Sequence, residues 1–239
     1  MIGTILAFAY FIFSMFFLLP FGTIALIFYI LGLRNLMTLA VYRIAQGWAR
    51  LFLWLFRCKV TVSGTETIPR KGGVCFVSNH EGIFDIVLIF AYCGRPVGFI
   101  AKKELSYVPF LNVWIFLIGG LFIDRGVVRK AIRTINIGVE RIKKGRGMII
   151  FPEGHRSKGE GLLPFHPGAL KLATQAGAPI VPVALKGSYD FYEKNRRLTR
   201  TVFKVVFCEP IYTADLPPED KKIILCDRIY SVIKERWEG

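Results

Sequence analysis

The sequence predicts an α/β fold: a sandwich around a largely parallel sheet, with an N-terminal membrane-embedded helical segment. Three observations lead there. From about residue 59 onward, short apolar runs alternate with helical patterns, as strands and helices do when they share one sheet. Residues 1–33 carry no charged side chain. The 239 residues suit a single compact body with a real core. The division expected is 1–57 for membrane-anchoring helices and 58–239 for the α/β body.

The uncharged front, "MIGTILAFAYFIFSMFFLLPFGTIALIFYILGL", exceeds the ~20 apolar residues that a bilayer requires. Pro20 divides it, and a helix continued through Pro20 is kinked. Two arrangements stay open: residues 2–19 span once, or two halves dip into one leaflet. A cleaved signal peptide does not fit, since no basic region precedes the long apolar run. Next, Arg43, Arg50 and Arg57 recur every seven residues and share one helical face. Ile44, Trp48, Phe52 and Leu55 supply an apolar side. An interfacial helix follows, basic towards headgroups and apolar towards acyl chains; the plainer reading is a core helix with a solvated basic face. Arginines after an apolar run place this side in the cytoplasm, so the localisation expected is a bacterial inner membrane with its site facing the cytoplasm.

In the body, "KVTVSG" alternates like a strand. "GVCFVSN", "VGFIAK", "GMIIFPEG", "PIVPVAL" and "FKVVFCEP" are compact apolar runs, several closed by turn or polar residues. Residues 127–144 place Val128, Ile132, Ile135, Val139 and Ile142 on one helical stripe among basic residues. A last helix spans about 218–237. Residues 107–123, interrupted by Pro109 and Gly119–Gly120, are too short to span and read as a buried helix, in plain core or beside an apolar cavity.

Charge narrows the partners. The net charge of +15 points to nucleic acid, an anionic membrane or a phosphorylated substrate. A chain 53% hydrophobic favours the membrane, and no nucleic-acid module appears, so no nucleic acid is expected. The five cysteines are scattered without a CxxC pair, which suits reduced apolar residues and neither a zinc site nor a disulfide frame.

The polar candidates sit at the ends of apolar runs. His80 closes "GVCFVSN", and Asp85 follows five positions later at the start of an apolar helix. A strand–turn–helix lets the carboxylate orient the imidazole as a general base. Alone, the spacing is equally that of a first-turn helix acid. Arg125 follows "GGLFID", Lys102 and Lys103 follow "VGFIA", and Glu153, Gly154 and Arg156 follow "GMIIFP". Cations converging beside glycines suit phosphate binding.

The ordered blocks "NHEGIFD", "GGLFIDRG", "FPEGHRS" and "VPVAL" resemble those of the PlsC-type glycerolipid acyltransferases, notably the 1-acylglycerol-3-phosphate acyltransferases. The resemblance implies that residues 58–239 are an acyltransferase domain. His80 is then the base and Asp85 its partner. Arg125, Arg156 and Lys102 bind substrate phosphate, while Glu153 and Gly154 position the acceptor. Pro182 shapes the site. Acyl-CoA or acyl carrier protein is the co-substrate, lysophosphatidate and membrane lipids are the partners, and neither cofactor nor metal is implied. Two positions depart from the family pattern. Gly82 stands where many members carry Ser, and His155 where many carry Thr. His166 reads as a surface histidine. Rival readings are acylation of glycerol-3-phosphate, another lysophospholipid or an amino-lipid, a lipid hydrolase using water, and a membrane-tethered nucleic-acid binder.

Overall fold

The structure is a computed structural model that describes residues 2–214, 216–217 and 222–239. Among the described residues, one sheet runs in the order β1-β7-β6-β2-β5-β3-β4. Its strands are β1 (Lys59–Ser63), β2 (Val74–Ser78), β3 (Val97–Lys102), β4 (Leu121–Ile123), β5 (Gly147–Ile150), β6 (Ile180–Lys186) and β7 (Val202–Phe207). All pairings are parallel except β6 with β7. The expected α/β fold with a largely parallel sheet is therefore present.

Central strands β2 and β5 are buried on both faces, which is why they read as unbroken apolar runs. Their side chains still alternate. Val74 and Phe76 join one core, with α3 (Arg34–Leu55) and α4 (Asp85–Tyr92). Cys75 and Val77 join the other, with α6 (Val128–Lys143), α7 (Lys171–Thr174) and α8 (Ile223–Glu238). Burying a side chain such as Phe76 contributes about 1.5–3 kcal/mol. The expected start of the last helix, near residue 218, lies outside the described residues.

The 107–123 segment is not one helix. It contains a 3₁₀ stretch ending at Tyr107, then α5 (Leu111–Leu117), then strand β4. Gly119, at φ +87, turns the chain between α5 and β4 in a region that side chains disfavour. Close approach there is permitted by Gly98, where a Cβ would stand 2.0 Å from the Gly119 carbonyl oxygen.

At the front, α1 (Ile2–Phe17) and α2 (Leu19–Ile30) meet at Leu18. Pro20 sits in the first turn of α2, where its missing N–H is least costly. The break leaves helices of 16 and 12 residues. Among the described residues no helix is long and apolar enough to cross a membrane. Helix α3 corrects the interfacial reading in part. Phe52 stacks on Phe84 at 5.3 Å, and Tyr10 of α1 stacks on Trp48 at 6.0 Å. That apolar side is taken up by protein, because the sheet's helical layer needs it as cover. Arg50 Nε donates to the Ala91 carbonyl at 2.9 Å, while Trp54 stays 73% exposed.

Candidate active site

Strands β2, β5, β3 and β4 are parallel neighbours, so their C-terminal ends lie along one sheet edge, where such folds place ligands. Asn79 sets the exit from β2. Its amide donates to the Leu185 carbonyl and accepts the Leu185 N–H, both at 2.8 Å, and so prolongs the β2–β6 ladder by one side chain. His80 comes next. Its N–H donates to Glu153 Oε1 at 3.0 Å, and its carbonyl accepts the Ser157 N–H at 2.8 Å. Both backbone groups of the histidine are thus tied to the loop that follows β5.

The His80 ring lies flat on Phe151, centroids 4.1 Å apart. Nδ1 is 2.7 Å from Asp85 Oδ2. With Nδ1 carrying the proton, Nε2 holds the lone pair, and among the described residues none engages it. Asp85 is buried at the first position of α4. Its Oδ2 also accepts the Gly82 N–H at 3.0 Å, and its Oδ1 accepts the Ser188 hydroxyl. The expected strand–turn–helix geometry for this pair is therefore present.

The cations gather at the same edge with different degrees of freedom. Arg125 is exposed, and its guanidinium donates to the Gly154 carbonyl. Gly154 has φ +79, and a Cβ there would stand 3.3 Å from Arg125 Nη1. His166 is also near, its ring Cδ2 3.5 Å from the same point. Lys102 is exposed at the end of β3, whereas Lys103 is held by Asp124 at 2.9 Å. Arg156 is paired with Glu193, at the end of a π-helical turn over Tyr189–Glu193. The other Glu193 oxygen accepts the Ile83 N–H at 3.1 Å. His155 is exposed, and Pro182 is buried in β6 opposite Val77.

Glu153, which the resemblance expects to position the acceptor, also holds the backbone of His80. It is 1% exposed and aimed at the His80 backbone, so it braces the histidine from behind. Burial pushes its carboxyl up to about 8. A second buried acid, Glu81, was not anticipated. It accepts the Trp237 indole N–H at 2.6 Å and the Gly187 N–H at 2.8 Å, and burial pushes it up to about 7. Ser188 and Glu193 were also missed. Ser188 had a signal, because "ALKGS" ends a strand just as "FVSNH" does. Trp237, 156 residues from Glu81, had none.

Beside the His80–Asp85 loop lies a cavity of about 320 Å³. Ile83 and Phe84 of that loop line it, with Phe11 from α1, Ala45 from α3, and Trp114 and Ile115 from α5. Its walls are almost wholly apolar and suit hydrocarbon.

The structure thus brings a histidine–carboxylate pair, strand-end cations and an apolar cavity together around one parallel-strand edge of an α/β fold. A family model described as "Acyltransferase" matches residues 59–186, more than half of the chain. The chain belongs to the acyltransferase family. Over 143 residues it is 37% identical to the 1-acyl-sn-glycerol-3-phosphate acyltransferase of Escherichia coli K12, covering 59% of this chain and 58% of that protein. The protein of that name from Borreliella burgdorferi is 32% identical over 146 residues, covering 61% of this chain and 58% of that protein. The chain thus spans little more than half the length of these curated relatives. The crystal structure of the 1-acyl-sn-glycerophosphate acyltransferase PlsC from Thermotoga maritima superposes with a TM-score of 0.79 at 25% identity, covering 99% of this chain and 95% of that one.

Proposed function

We propose that the chain transfers an acyl group from acyl-CoA or acyl carrier protein to the free sn-2 hydroxyl of 1-acylglycerol-3-phosphate, giving phosphatidate for phospholipid synthesis. The observation that carries this reading is one loop with two duties. Residues 80–85 present the His80–Asp85 pair, and Ile83 and Phe84 between them wall the apolar cavity. A reacting oxygen and an acyl chain are brought together by the same six residues. The names borne by the relatives support the acceptor and product.

His80 Nε2 takes the proton of the acceptor hydroxyl as that oxygen attacks the thioester carbonyl. The C–S bond then breaks, and the thiolate leaves with the proton returned by His80. Asp85 holds the imidazole and balances its charge in between. No acyl-enzyme is required. Ser78 is buried with its hydroxyl turned to the Asn79 carbonyl, and burial pushes the Cys75 thiol up to about 12, away from thiolate reactivity. Arg125 and Lys102 hold the acceptor phosphate, joined by Arg156 once Glu193 releases it. Exposed Phe13, Phe17 and Ile30 on α1 and α2 form the membrane seat, with the site facing the cytoplasm of a bacterial inner membrane.

Mass spectrometry of products from mixed donors and mixed acceptors tests the reading. Phosphatidate from lysophosphatidate is expected, with kcat/KM about 10²–10⁴-fold lower in folded His80→Ala. Full transfer by His80→Ala, or preference for acceptors lacking phosphate, defeats it.

A further inference from the structure

The His80–Asp85 pair has a third member outside the segment that the family model matches, which ends at residue 186. We infer that Ser188 is a positioning residue, holding Asp85 against His80 with a hydroxyl that fills the space left by Gly82.

Ser188 is fully buried, and its Oγ donates to Asp85 Oδ1. The opposite oxygen, Oδ2, serves His80 Nδ1 and the Gly82 N–H. The two carboxylate oxygens are therefore inequivalent, one fixed from the β6 side and one given to the imidazole. Without the Ser188 bond, Asp85 is restrained on one oxygen only, and the plane of its carboxylate is free to turn about the His80 contact.

Ser188 reaches that point by construction. Gly187, at φ +97, turns the chain as it leaves β6; a Cβ there would stand 2.7 Å from the Val202 carbonyl oxygen. The Gly187 N–H is in turn held by the buried Glu81 carboxyl. On the facing side, a Cβ at position 82 would stand 2.9 Å from Ser188 Oγ and 3.1 Å from the Ser188 carbonyl carbon. Glycine at 82 and serine at 188 are thus two halves of one arrangement. Any side chain at 82 displaces the hydroxyl that serves Asp85.

The inference rests on His80 acting as the base, and the experiment separates the two claims. Steady-state kinetics with lysophosphatidate are measured for Ser188→Ala, Ser188→Cys, His80→Ala and the Ser188→Ala/His80→Ala pair, each checked for native circular dichroism. Ser188→Ala is expected to lower kcat about 10- to 100-fold with the acceptor KM unchanged, as loss of a hydrogen bond to a charged group implies. Cysteine fills the space but donates weakly, so Ser188→Cys falls with the alanine variant. On the His80→Ala background the Ser188 change costs less than two-fold. Wild-type kcat in folded Ser188→Ala overturns the inference. So does full activity in Ser188→Cys, which reduces Ser188 to a filler, or an undiminished loss in the double variant. An active His80→Ala enzyme instead overturns the base assignment on which the inference stands.

Discussion

Glu193 engages the Arg156 guanidinium, which the proposed function assigns to the substrate phosphate. Its ion pair with Arg156 is partly exposed, and exposed pairs are worth about 0.2–1 kcal/mol. A phosphate dianion can displace it at modest cost. Glu193→Gln therefore releases Arg156, and the KM for lysophosphatidate is expected to fall about two- to five-fold with little change in kcat. An unchanged KM in initial-rate assays rejects the competition. Position 82 also changes its meaning at this scale. From sequence alone, Gly82 touched none of the assigned roles. In the structure, a Cβ there would stand 2.3 Å from Glu193 Oε2 as well as against Ser188. His80 and the cations were legible because each follows an apolar run, and Asp85 because it opens an apolar helix. For Glu153 the place was legible but the His80 contact was not, since nothing in "FPEG" distinguishes a carboxyl facing solvent from one facing a backbone N–H.

At the scale of elements, the strands were the most readable part. Buried parallel strands need continuous apolar runs, and each such run became a strand. Strand β4 was hidden in an uncharged stretch, where a three-residue strand and a short helix carry the same apolar signal. Helix α3 was misread in part for a similar reason. A stripe of Trp48 and Phe52 looks the same whether lipid or protein lies opposite. The cavity that results is shared property, walled by α1, α3, α5 and the His80–Asp85 loop. Ala45 lines it from α3. Ala45→Leu adds about three carbons to a close-packed wall, so donor preference is expected to shift to chains shorter by about that many. Competition assays with mixed acyl donors read this out, and an unchanged product distribution removes the cavity from acyl binding.

Across the whole molecule, two buried acids make stability depend on pH. Glu81 is raised to about 7 and Glu153 to about 8 from an ordinary value of 4.5. Between pH ~4.5 and these values the native state keeps protons that the unfolded chain has released, so stability falls as pH rises and levels off above about 8. At about 1.4 kcal/mol per pH unit, the loss is on the order of a few kcal/mol for each group. Urea midpoints in detergent should drop between pH 5 and 8, and Glu81→Gln with Glu153→Gln should flatten that slope. Exposed α1 and α2 make a second whole-molecule prediction. The protein should float with anionic liposomes, more weakly as salt rises but not released by it, because apolar contact outlasts screening. Complete release at high salt means the seat is electrostatic only.

The Trp237–Glu81 hydrogen bond also orders events in time. Translation at roughly 5–20 residues per second puts roughly 8–30 s between the emergence of the carboxyl and of the indole that covers it. During that interval the loop carrying His80 already exists, but the buried acid next to it lacks its ceiling. A ribosome-bound chain that has made every family block is thus still incompletely packed, and the acid beside His80 gains its cover only when α8 arrives.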